Sequence, residues 1–254
     1  MNKIHYKLFL TLSFLLSAVL VEAQEIDLFN EKEEKTKDIV TAVFKSSRII
    51  NGQSIENVGN GVLDLKILHR FGNISQGAYN LFGLDQASMR IGLDYGVSNR
   101  LMIGVGRSTF EKQFDGFLKY KLIQQQTGLR EIPVSVSLAS TLIYKSLKDD
   151  PAAEYISYVS DKFSFAHQLI IARKFNDYFS LQLTPTIVHY NLVANSTLPN
   201  DFKSFGISFR QRISKRLNFT TEYFYRIDKI DGYSDPLTLG LDIETGGHVF
   251  QLHV

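Results

Sequence analysis

The chain has 254 residues, with 28 Lys and Arg against 26 Asp and Glu, 44% hydrophobic residues and no cysteine. The absence of cysteine excludes disulfides, thiolate nucleophiles, cysteine-ligated metals and a lipoprotein anchor. Charges of both signs are scattered singly, without the concentrated basic surface of a nucleic-acid binder, so we expect no nucleic-acid partner.

The first predicted element is an export signal over residues 1–23. Lys3 and Lys7 precede an apolar run, residues 8–21, that is short for a helix crossing a bilayer. We expect cleavage after Ala23, and an N-terminal membrane anchor is the alternative interpretation. Cleavage would leave 26 basic and 25 acidic side chains, so the mature chain would be nearly neutral.

Residues 24–40 are charged and lack two-residue periodicity, which predicts a flexible periplasmic leader. No linker divides the remainder, so residues 41–254 are predicted to form one domain of strands. The predicted strands cover residues 41–49, 61–71, 86–97, 100–110, 114–123, 131–143, 163–175, 178–190, 202–213, 217–226, 236–243 and 247–254.

Residues 87–97 show the pattern most clearly, because apolar residues such as Ile91 and Leu93 alternate with Arg90, Gly92 and Asp94. Long alternating strands behind an export signal predict an all-β fold, an antiparallel transmembrane β-barrel of about 12 strands. A two-sheet sandwich also alternates, but its strands are usually shorter. Small inward residues such as Gly92 favour a wet lumen, because side chains alone do not fill so wide a barrel.

The predicted connections alternate in length between the two ends of the barrel. Short turns alternating with long loops predict that the chain begins on the periplasmic side and that the long loops face outward. The short turns are at residues 98–99, 176–177 and 214–216, and the long loops are at residues 72–85, 144–162, 191–201 and 227–235.

Three segments, residues 46–72, 79–122 and 246–254, resemble an uncharacterised β-barrel family of Bacteroidota outer membranes. They contain HRFG at 69–72, GLDYG at 92–96 and FDGFLKYK at 114–121. The resemblance begins near Val43 and implies an outer-membrane barrel with no established activity, so no family site residues are transferred. It also implies a further hairpin after Val254, and we therefore expect a C-terminally incomplete chain whose intact barrel has more than twelve strands.

By strand parity, nine basic and four acidic side chains are predicted to line the lumen. Because rings of Arg and Lys select anions, this excess suggests a passive channel for small anionic solutes. The basic residues are Lys66, Arg70, Arg90, Lys119, Lys121, Lys174, Arg210, Arg212 and Arg226, and the acidic residues are Asp64, Asp94, Glu222 and Asp242.

The alternative hypothesis is a structural or accessory barrel with a closed lumen, which docks periplasmic or surface partners. Cross-strand ion pairs would then hold the interior together. Pairing of Arg90 with Asp94 would favour the closed barrel, whereas a free stripe of Arg90, Lys66 and Lys119 would favour an anion path.

An enzyme is the third class, because His69, His167 and His189 lie on the apolar face near the outer strand ends. A lipid hydrolase needs a serine hydrogen-bonded to histidine and a third, orienting group, and no local His-x-Ser pattern supplies it. His248 and His253 fall on opposite faces of a strand and cannot share a metal. We therefore expect no catalytic, cofactor-binding or metal-binding residues.

The expected partners follow from the predicted compartment. They are the lipid and lipopolysaccharide of an outer membrane and the machinery that assembles barrels there. The sequence identifies no protein partner beyond that machinery.

Overall fold

The computed structural model describes residues 36–148, 158–193, 195, 197–230 and 232–254. The predicted signal peptide and residues 24–35 of the predicted leader lie outside the described residues. Residues Lys37–Val254 form one compact unit. Within the described ranges, no helix is long and apolar enough to cross a membrane.

The described part of the chain contains thirteen strands, which confirms the prediction of an all-β fold. They are β1 Lys37–Ile39, β2 Leu63–Arg70, β3 Ser88–Gly96, β4 Leu101–Ser108, β5 Gln113–Ile123, β6 Gln126–Gly128, β7 Ser135–Lys145, β8 Phe163–Lys174, β9 Phe179–Tyr190, β10 Asp201–Arg212, β11 Leu217–Arg226, β12 Leu237–Thr245 and β13 His248–His253. Eleven of these strands, β2–β5 and β7–β13, form one antiparallel sheet in chain order, and β1 pairs with β6 in a separate two-stranded ladder.

Eleven of the twelve predicted windows contain a strand of the large sheet, but the strand predicted at residues 41–49 is wrong. This segment forms no ladder with the sheet, and its one bridge joins Arg48 to Gln53 a few residues later. The sequence pattern of residues 41–49 predicted a strand because a segment buried in an interior can have the same mixture of apolar and polar residues as an alternating strand.

Burial follows the alternation of the strands. On β2, Leu63, Leu65 and Ile67 are 56–62% exposed, whereas on β3 the inward-facing Asp94 is 0% exposed. An outer face of exposed aliphatic residues matches the lipid-facing band of a membrane barrel.

The two ends of the sheet differ in their connections. The short-turn end carries the turns at 97–100, 175–178, 213–216 and 246–247, and the long-loop end carries the connections at 71–87, 146–162, 191–200 and 227–236. Two connections depart from the pattern, because 124–134 at the short-turn end is long and 109–112 at the long-loop end is short.

The sheet is not closed into a complete barrel. Its edge strands, β2 and β13, both run from the short-turn end to the long-loop end. No ladder joins these two strands in the part of the chain that the structure describes.

An aromatic row crosses the outer face near the short-turn end. The rings of Phe175 and Phe179 lie 5.7 Å apart, those of Phe179 and Phe209 6.1 Å, and those of Phe209 and Phe219 6.1 Å. Aromatic rings at this depth are typical of the boundary between lipid tails and headgroups.

Candidate functional site in the lumen

Residues 40–60, which make up most of the connection from β1 to β2, lie inside the curved sheet, and we call them the lumenal segment. Five of its apolar side chains are only 1–3% exposed, namely Val43, Phe44, Ile49, Ile50 and Ile55. The hydrophobic core of the described residues consists of Val43, Phe44, Ile49, Ile50, Ile55, Ala139, Ile170 and Ala172. Much of this core is thus formed by the lumenal segment against the inner wall.

Small inward residues make room for this segment. A side chain on Gly96 would overlap the carbonyl oxygens of Val58 and Gly59, and a Cβ on Gly240 would stand 3.2 Å from Cδ1 of Ile50. The prediction of a wet lumen is therefore wrong for the half of the lumen nearer the short-turn end. There, the lumenal segment fills the space that the small residues leave.

The lumenal segment is compact in itself. The backbone N–H of Ile49 donates to the oxygen of Gly52 at 3.0 Å, and the N–H of Ser54 donates to the oxygen of Ser47 at 3.0 Å. These bonds close a turn, and Oε1 of Glu56 accepts the N–H of Val43 at 2.6 Å. The parts of the segment before and after the turn are thereby joined.

Lys119 on β5 is the most heavily bonded contact between wall and segment. Its side chain is 0% exposed. Nζ donates to the backbone oxygens of Ser47 at 3.1 Å, Ser54 at 3.0 Å and Glu56 at 2.5 Å, and lies 3.3 Å from Oε1 of Gln53. A buried ammonium needs such acceptors because its loss of hydration is otherwise uncompensated.

Arg210 on β10 binds the segment from the opposite wall. Its Nε donates to the oxygen of Val43 at 2.8 Å, and Nη1 donates to Oδ1 of Asn218 at 2.9 Å. On the neighbouring strand, Gln182 donates to the oxygen of Gln53 at 2.9 Å and accepts the N–H of Ile55 at 3.0 Å.

Two predicted acidic residues also bind the segment. The carboxylate of Glu222 on β11 accepts the backbone N–H groups of Asn51 and Gly52, both at 2.9 Å. Oδ2 of Asp94 accepts the hydroxyl of Ser47 at 2.9 Å. The lumenal segment is therefore held by side chains of both charges.

Five further predicted lumen residues pair with neighbours on the wall or at a rim. Lys66 contacts Asp64 at 2.7 Å and Asp94 at 3.9 Å, Arg90 bonds twice to Asp115 at 2.7 and 2.5 Å, and Asp242 accepts a bond from Gln251 at 2.9 Å. Lys174 lies 2.9 Å from Asp177. That contact lowers the pKa of the Asp177 carboxyl, because Lys174 stabilises its ionised form.

The last four predicted residues lie towards the rims or are unpaired. Arg212 donates to the oxygen of Ser214 at 3.1 Å, and Arg226 bonds to Asp235 at 3.1 Å. No side-chain hydrogen bond or ion pair is formed by Arg70 or Lys121 with the described residues. The predicted basic set is thus brought together around the lumenal segment only in part.

The hypothesis based on Arg90 and Asp94 has a mixed outcome. Arg90 is balanced, but by Asp115 rather than by Asp94. Asp115 has the same strand parity as Lys119, so the sequence could have identified it. Arg48 and Glu56 of the lumenal segment were missed for a different reason, because no strand periodicity marks a chain that fills an interior.

The long-loop half of the lumen contains a cavity of about 1020 Å³, which we call the cup. Its floor is formed by lumenal-segment residues, among them Arg48 and Gly52. Its wall combines apolar side chains, such as Val188 and Phe202, with polar ones. The cup and the filled half divide the lumen between them.

The outer face carries two histidine pairs near the long-loop end. Nδ1 of His167 lies 3.0 Å from Oγ of Ser140 on the adjacent strand, and Nδ1 of His189 lies 2.7 Å from Oδ1 of Asp201. No serine close to His167 in the chain indicated this pair, because Ser140 is its neighbour on the adjacent strand. No third group orients His167 in the described residues, and none of their His, Asp and Glu groups forms a cluster able to hold a metal.

A sequence comparison agrees with this architecture. Residues 44–254 match a family described as a membrane bound beta barrel domain, DUF5777, which has no assigned function. The match includes nearly all of the lumenal segment. No curated protein and no solved structure matches the chain. The predicted resemblance to a barrel family is confirmed, and its assignment to Bacteroidota stays a prediction: the chain belongs to this family of membrane-bound β-barrel domains.

Proposed function

We propose that this chain is a structural or accessory membrane barrel whose lumen is closed by the lumenal segment. The observation that carries this proposal is the coordination of Lys119, a fully buried cation bonded to three backbone oxygens of that segment. A wall cation committed in this way is not available to attract passing anions. Its function would then reside at the rims, which would dock periplasmic or surface partners.

The passive anion channel is the second candidate. The basic excess among the predicted lumen residues favours it, because such rings select anions once they face water. Lys119 and Arg210 would meet that condition only after residues 40–60 had left the lumen. The channel is therefore a state that requires displacement of the lumenal segment.

We also propose that the barrel lies in an outer membrane with its short-turn end towards the periplasm. Short periplasmic turns and long external loops are the usual arrangement in such barrels. The lumenal segment starts at the short-turn end, where the N–H of Val40 donates to the oxygen of Gln125 at 2.9 Å. An exported N-terminal leader would approach the lumen from that side.

Conductance across a planar bilayer tests the closed lumen. We expect no steady conductance from the refolded protein, and an anion-selective conductance from a variant lacking residues 42–57. Heat-modifiable gel migration checks that the deleted form still folds as a barrel. The double variant Lys119→Met and Glu222→Gln, which keeps the chain length, should show frequent openings. Steady conductance of the unaltered protein would overturn the proposal.

A further inference from the structure

The cup has an unusual inner wall for a membrane barrel. Inward positions of such barrels are generally polar. Here the inward residues Ile143, Val188, Phe202 and Phe224 are apolar, remain partly exposed and line the cavity. An apolar concavity with a few polar groups is the usual form of a small-molecule site. At about 1020 Å³, it is large enough for an extended ligand.

The floor of the cup supplies a cation without an anionic partner. The guanidinium carbon of Arg48 lies 5.4 Å from the centre of the Phe117 ring, and its Nε is buried without an acceptor. No ion pair of Arg48 is formed within the described residues. Four other cations line the cup. Lys145 is paired with Glu111 at 2.6 Å and Arg226 with Asp235 at 3.1 Å, and Lys162 and Lys203 lie at the long-loop ends of β8 and β10.

The two carboxylates that interact electrostatically with Arg48, Asp94 and Asp115, have other partners. Asp115 is held by two bonds from Arg90, and Asp94 accepts the hydroxyl of Ser47 and lies 3.9 Å from Lys66. The positive charge of Arg48 is thus incompletely balanced at the floor of a partly apolar cavity. An anion placed there would gain a charge-assisted hydrogen bond to the guanidinium.

We propose that the cup binds an amphipathic carboxylate that enters from the long-loop end. Its carboxylate would bond to Arg48, and its apolar body would lie against Val188, Phe202 and Phe224. A planar guanidinium suits a carboxylate because it offers two parallel donors. The inference rests on one part of the proposed function, the placement of the lumenal segment inside the sheet, since Arg48 forms the floor only while that segment is in place.

Both parts of the cup are needed for this choice of ligand. A small inorganic anion would use Arg48 and leave the apolar wall uncovered. A neutral hydrocarbon would cover the wall and leave Arg48 without a partner. An amphipathic carboxylate satisfies both features, and an amphipathic cation would be repelled by Arg48.

The test is the binding of decanoate, decanol and decyltrimethylammonium to the full chain in lipid nanodiscs, measured by equilibrium dialysis against empty nanodiscs. We expect one saturable site for decanoate, with decanol bound about 10-fold more weakly, since a hydrogen bond to a charged group contributes at least that factor. Decyltrimethylammonium should not bind saturably. Equal binding of decanoate and decanol would overturn the inference.

Variants separate the two parts of the site. Arg48→Gln should weaken decanoate binding about 10-fold and leave decanol unchanged, whereas Arg48→Lys should retain part of the preference. Val188→Asn should weaken both ligands. Lys215→Gln, in an exposed turn at the short-turn end, is the matched control and should change neither. Unchanged decanoate binding by a folded Arg48→Gln protein would overturn the inference.

Conductance recorded from the same preparations distinguishes failure of the carboxylate site from failure of the proposed closed lumen. A closed barrel without saturable decanoate binding overturns the carboxylate site and leaves the closed lumen standing. A steadily conducting barrel that binds decanoate through Arg48 supports the site and overturns the closed lumen.

Discussion

The two halves of the lumen are built from the same strands but differ in the inward side chains that those strands carry. Along β9, Ser180, Gln182 and Thr184 point inward at the short-turn half and are at most 1% exposed. Further along the same strand, Val188 and Tyr190 line the open cup. The difference follows from the lumenal segment, whose irregular backbone brings polar groups that need partners when buried. Where no chain fills the interior, apolar inward residues are tolerated and become available to a ligand.

The variant expected to have the largest effect on the filled half is Lys119→Met. We expect a loss of about 3–5 kcal/mol in the free energy of unfolding, because backbone acceptors would lose a buried charged donor. Urea unfolding in lipid vesicles, followed by far-UV circular dichroism, measures it. The control is Lys121→Met on the same strand, which removes an ammonium without a hydrogen bond to the lumenal segment and should cost much less. Equal losses would show that the filled half does not depend on this anchor.

A steric test addresses the space around the segment. Gly96→Ala should destabilise the protein by about 1–3 kcal/mol, the usual cost of overpacking, because the added Cβ overlaps the backbone at Gly59. Gly116→Ala is the matched control, since its nearest neighbour is the oxygen of Gly104 at 3.9 Å. The same unfolding measurement applies. A neutral Gly96→Ala would mean that residues 58–60 move aside freely.

A pair of near-isosteric exchanges on β9 compares the halves directly. Thr184→Val removes the acceptor of a 3.0 Å bond from Nε2 of Gln182 and should cost about 1 kcal/mol. Val188→Thr faces the cup and should change stability by less than about 0.5 kcal/mol, as exposed substitutions usually do. Thermal unfolding of both variants would reveal the difference. A larger loss for Val188→Thr would contradict an open cup.

The sequence predicted the strands well because alternation is a local property. Strand alternation correctly predicted that Lys119, Arg210 and Glu222 point inward, since every second side chain of a strand lies on the same side. Their role did not follow, because their partners are backbone groups of the lumenal segment far away in the chain. The same limit explains the incorrect strand at 41–49, where nothing local distinguishes a chain inside a barrel from one in its wall.

The smallest expected effect lies in the loop above the cup. Asp235 accepts bonds from Lys229 at 2.6 Å and Arg226 at 3.1 Å, and these partners lower its pKa to about 2. Because the folded state holds the proton more weakly than the unfolded chain, this contribution is present above about pH 4 and is lost as the pH falls towards 2. The hydrogen-exchange protection factors of residues 227–230 and 232–235, measured against the intrinsic rate at each pH, should therefore fall over that range, with a smaller fall in Asp235→Asn. An equal loss of protection in Asp235→Asn would assign the loop's acid sensitivity to other groups.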